Sequence, residues 1–121
     1  MEFAFPNATA SLVSIADGSA SLCFSSGGAI IGGQGHEPVR NTAKRFLSAL
    51  EAAQSSCRRV TSFPLPKSGY VAFFVRTYAS DLGAEVVEGD LRPGGHPLSA
   101  AFLAAHDVIA ALRLVVEKKT G

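Results

Sequence analysis

Two cysteines in 121 residues, Cys23 and Cys57, have neither the number nor the spacing of a disulfide framework or a zinc site. Both read as small buried hydrophobes. Charge is scarce as well. Eleven basic and ten acidic residues make up 17% of the chain and leave a formal charge of +1, and no like-charged run is longer than pairs such as Arg58-Arg59 and Lys118-Lys119. No basic face or stripe of the kind that neutralises phosphates is present, which argues against nucleic acid as the partner. The same shortage leaves little solvated surface, so another subunit or protein is expected to cover apolar area. Residues 1–6 hold no basic segment followed by an apolar run, so no secretory leader is read and a cytoplasmic location is expected. The longest apolar stretch, 98–116, is broken by His106, Asp107 and Arg113, which excludes a membrane span there and predicts no membrane partner.

Catalytic signatures are equally lacking. Gly32-Gly33-Gln34-Gly35 is not followed by the lysine and hydroxyl residue of a P-loop, and Gly33-Gln34-Gly35-His36-Glu37-Pro38 lacks the third glycine of a dinucleotide fingerprint. No Gly-x-Ser-x-Gly elbow and no paired carboxylate motif occurs. No two of the three histidines, His36, His96 and His106, stand at helical i, i+3 or i, i+4 spacing, so a metal would need ligands from separate elements, and none is expected. Cys57 stands beside Arg58 and Arg59, which favour a thiolate, but just past a helix C-terminus, which opposes it. No cofactor is implied, and the chain reads as a protein without catalytic machinery.

What is present is a core and a set of turns. With 47% hydrophobic residues the chain can bury a core as one domain, 1–121, with residues 1–7 as a flexible lead. Residues 8–15 and 19–25 read as two strands around Asp17-Gly18, the favoured pair for a type I′ hairpin turn. In the second strand Ala20, Leu22 and Phe24 alternate with Ser21, Cys23 and Ser25, so one face meets the core and the other is wet. Five glycines fall within 27–35; Gly27-Gly28 permits a turn, Ala29-Ile30-Ile31 makes a short third strand, and Gly32 ends it. A helix starts at Glu37-Pro38, with Val39, Ala43, Phe46, Leu47 and Leu50 at helical spacing. Phe63-Pro64-Leu65-Pro66 forces an extended connector. Residues 70–78 form a nearly continuous apolar run that reads as a central strand, Ser80-Asp81-Leu82-Gly83 as a turn, and 84–88 as the last strand. A second helix opens at His96-Pro97 and runs to about Lys118, apolar over most of its circumference, with a narrow stripe of Ser99, His106 and Arg113. The expected fold is α+β, in the order βββαββα: an antiparallel sheet of about five strands with two helices. A helix so apolar is expected to pack on the sheet and to form a homodimer interface.

The place where chemistry could reside is the Gly32 to His36 crossover. Amides around Gly33, Gly35 and His36, with Arg40 one helical turn on, could hold an anion, although Glu37 beside them opposes it. His96 and His106 are the other polar candidates. His96 is also placed to cap the second helix, and His106 to pair with Asp107 or with its mate across a two-fold axis. The eight phenylalanines are spread over every element, as in a core, with Phe63 and Tyr78 the aromatics to check for exposure.

The ordered motifs Phe24-Ser25-Ser26-Gly27-Gly28-Ala29-Ile30-Ile31-Gly32-Gly33, His36 with Val39-Arg40, Phe63-Pro64-Leu65-Pro66 and His96-Pro97-Leu98-Ser99 resemble a set of small bacterial proteins of unknown function over residues 8–114. That resemblance implies a stand-alone bacterial domain and carries no activity. The order strands, helix, strands, helix is also similar to profilin-like and roadblock-type modules, which often act as dimeric scaffolds, although the N-terminal helix of the roadblock pattern is missing; fold alone does not fix function. Two functions are therefore expected in competition. One is a non-catalytic homodimeric interaction or scaffold module, with a further protein partner. The other is a small-ligand or anion-binding protein, or an enzyme, with its site near the crossover and His96 and His106.

Overall fold

The alternation in residues 20–24 decides which way the sheet faces: Ala20 and Leu22 are buried against the core while Cys23 is exposed on the opposite side. The structure, a computed structural model, describes residues 1–4, 8–15, 19–32, 36–76 and 80–120. Its elements are β1 (Glu2–Ala4), β2 (Thr9–Ser14), β3 (Ala20–Phe24), β4 (Ala29–Gly32), α1 (Glu37–Ala52), β5 (Arg58–Arg59), β6 (Tyr70–Arg76), β7 (Asp81–Val87) and α2 (Ser99–Thr120), with short 3-10 turns at Gln54–Ser56 and Glu88–Leu91. The class is α+β, with one antiparallel sheet of seven strands in the order β4-β3-β2-β1-β6-β7-β5.

Strand number and order differ from the expectation of five. β1 lies within the segment expected as a flexible lead, yet it joins two three-strand units: Phe3 pairs with Ala10 of β2 on one side and Val71 of β6 on the other. The Met1 ammonium donates to the Leu12 carbonyl at 2.7 Å, and the Leu12 N–H donates to the Met1 carbonyl at 2.8 Å. β5 is the second addition, two residues pairing with Leu82 and Gly83. Those two residues were expected in a turn; they extend β7 instead, paired with β5 on one side and β6 on the other, and a Cβ on Gly83 would fall 2.8 Å from the Phe74 ring. The glycine serves close packing across the pair Phe74↔Gly83. The Asp17-Gly18 turn lies outside the described residues, but its flanks close as a hairpin, Ile15 N–H donating to Ser19 carbonyl at 3.0 Å. Gly27 and Gly28 take φ of +109° and +91°, turning β3 into β4 at angles that a side chain resists.

Both helices cover the same face of the sheet. α1 lies over β2 and β3, α2 over β3 and β4, and the helices pack on each other. The core they close contains Leu12, Leu22, Val39, Phe46, Phe73 and Leu112, each 2% exposed or less. Val39, Ala43, Phe46 and Leu50 are the buried positions of α1, as the spacing predicts, and Thr42 is tolerated among them because its hydroxyl donates to the Pro38 carbonyl at 2.7 Å. On α2, Ala101, Ala105, Val108 and Leu112 are buried. Ser99, expected on the polar stripe, is buried at the helix start, while His106 and Arg113 are exposed.

The opposite face is covered only in part. The connector after β5 crosses it at β6 and β7, where the Phe63 ring meets Phe74 edge-on at 5.2 Å, Arg76 lies 5.2 Å over Phe63, and Pro66 is buried. This cover buries Ala72, so β6 is enclosed on both faces, as its apolar run predicts. Phe63 itself remains 41% exposed; Tyr78 lies outside the described residues. Toward β3 the face is open, which leaves Cys23 exposed and corrects the expectation that both cysteines are buried; Cys57 is half-buried.

Candidate functional site

The helix α2 packs on β3 and β4. Phe102 and His106, one turn apart, bring their rings together edge-on at 4.5 Å, and His106 also faces Phe3 of β1 at 6.4 Å. Further along, Ile109, Ala110, Arg113 and Leu114 face Leu22 and Phe24 of β3 across an open groove of about 580 Å³ that extends from His106. The walls are apolar, with one imidazole and one guanidinium among them. That pairing suits a small molecule or a segment of another chain with an apolar body and an anionic end. Among its described lining residues there is no nucleophile with an adjacent base.

A second groove, about 520 Å³, lies at the other end of the sheet between Arg58, Arg59, Pro64, Phe74, Glu85 and His96. His96 is engaged in the fold: its Nδ1 accepts the Leu98 N–H at 3.0 Å, its own N–H donates to Ser99 Oγ at 3.1 Å, and Ser99 N–H donates to its carbonyl at 3.0 Å. These bonds satisfy donors at the start of α2, as capping requires. An accepting Nδ1 places the imidazole proton on Nε2.

The crossover residues stand apart from both grooves. His36 is the N-cap of α1 in extended conformation, φ −103° and ψ 100°, with no side-chain capping bond and an exposed ring. Its carbonyl accepts the Arg40 N–H at 3.0 Å, and Arg40 is half-buried. Gly33 and Gly35, like Gln34 between them, lie outside the described residues. Of the candidate residues, His106 lines the first groove and His96 the second, while neither His36 nor Arg40 lines either.

Burial pushes the Cys57 thiol up from its ordinary value, which disfavours the thiolate a nucleophile needs. Among the described residues no group of three His, Cys, Asp or Glu side chains is placed to hold a metal ion, and no helix is long and apolar enough to cross a membrane. The residues that reading the sequence missed are the groove's walls, Phe3 and Phe24. The period-2 pattern of residues 20–24 put Phe24 on the core side, but which helix residues face it depends on strand order.

No family model matches the chain, and neither a curated protein nor a solved structure matches it.

Proposed function

We infer that the chain is a non-catalytic interaction or scaffold module that works as a homodimer, with α2 contributing to the interface. The observation that carries this reading is the surface of α2: after packing on the sheet and on α1 it still leaves Leu103 45% and Leu114 53% exposed, with Ala100 and Ala110 also exposed. Leu114 and Ala110 continue into the groove beside Phe24. Exposed apolar residues on both sides of Asp107, on a chain so poor in charge, favour cover by another protein surface. The test is a native mass spectrum across micromolar concentrations. A dimer mass without added material supports the reading, and a monomer at every concentration removes it.

A second reading rests on His106 and Arg113, the two polar side chains in the groove's otherwise apolar wall. On this reading the groove takes a small amphipathic anion, and the chain is a ligand-binding protein. A monomer or dimer mass carrying a retained organic anion in the same spectrum would favour it. Loss of that extra mass in His106→Ala and Arg113→Ala, with the fold unchanged, would place the ligand.

A further inference from the structure

The two edges of the sheet are built differently. One edge is β5, only two residues long and both of them arginine; where β5 stops, β7 continues that edge with Glu85, and Glu88 follows. Short length and charge are the devices by which proteins stop sheet edges from pairing with other chains. The other edge, β4, has neither charge nor proline. From Ser25 through Gly35 the sequence contains no charged residue and no proline, and its apolar strand Ala29–Gly32 stands at the end of the strand order.

The register says which backbone groups that edge presents. Phe24 N–H donates to the Gly28 carbonyl at 3.2 Å, and in the ladder Leu22 pairs with Ile30 and Ala20 with Gly32. Hydrogen bonding alternates along an antiparallel pair, so residues 28, 30 and 32 bond to β3. Ala29 and Ile31 therefore direct their N–H and C=O groups away from the sheet. Two residues of one parity, one position apart from a central Ile30, are self-complementary: turned about a two-fold axis at Ile30, Ala29 of one copy meets Ile31 of the other, and four N–H···O=C bonds close.

We propose that β4 pairs antiparallel with β4 of a second copy of this chain, about a two-fold axis at Ile30, joining the two sheets into one. The proposal deepens the homodimer reading and rests on it. With no charge on the strand, nothing repels the identical strand. A four-residue strand is only ~13 Å long and cannot by itself supply the ~800 Å² per partner of a stable interface. The remaining area lies alongside it. Leu22 and Phe24, on the floor of the α2 groove, are the ladder neighbours of Ile30 and Gly28, and α2 is the helix that packs over β4. Because α2 packs over β4, α2 of each copy, with its exposed Ala110 and Leu114, lies beside the joint.

The experiment is sedimentation of the wild-type chain and of Ala29→Pro, with amide hydrogen exchange on the wild type at high and low protein concentration. In the separate chain the Ala29 N–H faces water, so proline there removes no ladder bond within the fold, but across the axis it removes two. Self-association should weaken ~30-fold or more. The Ala29 and Ile31 amides should be slow to exchange at high concentration and fast at low. A wild-type dimer in which Ala29→Pro associates as before and those two amides exchange freely would overturn the proposal while leaving a dimer through another face of α2. A wild-type monomer throughout would overturn the homodimer reading itself. Should Ala29→Pro misfold, Ala29→Lys and the wild-type exchange pattern decide.

Discussion

The Met1 amine is enclosed beside Leu12, and burial lowers its pKa from 8.0 to about 6, against a smaller opposing effect of the Glu2 carboxylate. Glu2 itself accepts a hydrogen bond from the Ser11 hydroxyl across the β1–β2 pair. A base whose pKa falls on folding binds its proton more readily in the unfolded chain, so between the two values the unfolded state carries more protons and stability rises with pH. The contribution is complete above pH 8 and lost as pH falls through 6. Two pH units correspond to about 2–3 kcal/mol at most. Urea denaturation of the 121-residue chain in steps from pH 8.5 to 5.5 should show that loss, and a flat profile would mean that the amine reaches water.

Among the elements, the small residues of α2 bring the helices close. Ala101 and Ala105 are fully buried, as is Ala43 on α1. Enlarging Ala105 to leucine adds three carbons at a fully buried position, and we expect a loss of about 1–3 kcal/mol in chemical denaturation. Wild-type stability in that variant would show that the layer has room. The same element scale explains what could be read from residues alone. Both helices and β2, β3 and β6 are long or patterned enough for their period to show, glycines bound β4, and Glu37-Pro38 marks the start of α1. β1 and β5, three and two residues long, are too short to display any period and exist because neighbouring strands offer them hydrogen bonds. Leu82-Gly83 resembles a turn locally and is strand because β5 and β6 pair with it on either side. The candidate site was legible in the same proportion. His106 is a polar residue on an apolar helix, which the sequence displays; that Phe3 and Phe24 face it follows from a strand order fixed only by the assembled sheet.

At the scale of the whole molecule, a homodimer ties stability to concentration. If folding and association are linked, the melting temperature should rise by ~2–4 °C for each tenfold increase in protein concentration, as calorimetry or a fluorescence melt would record. A melting temperature independent of concentration would separate folding from any association. The position of β1 also bears on how the chain reaches this state. The sheet consists of two local meanders, β2-β3-β4 and β6-β7 with β5, and the strand between them is the first to be synthesised. β1 can pair with β2 at once, but the pairs Glu2↔Ala72 and Phe3↔Val71 wait for some seventy further residues. The closing of the sheet is thus a long-range loop closure, across two residue pairs among the described residues, and it is the step we expect to set the refolding rate.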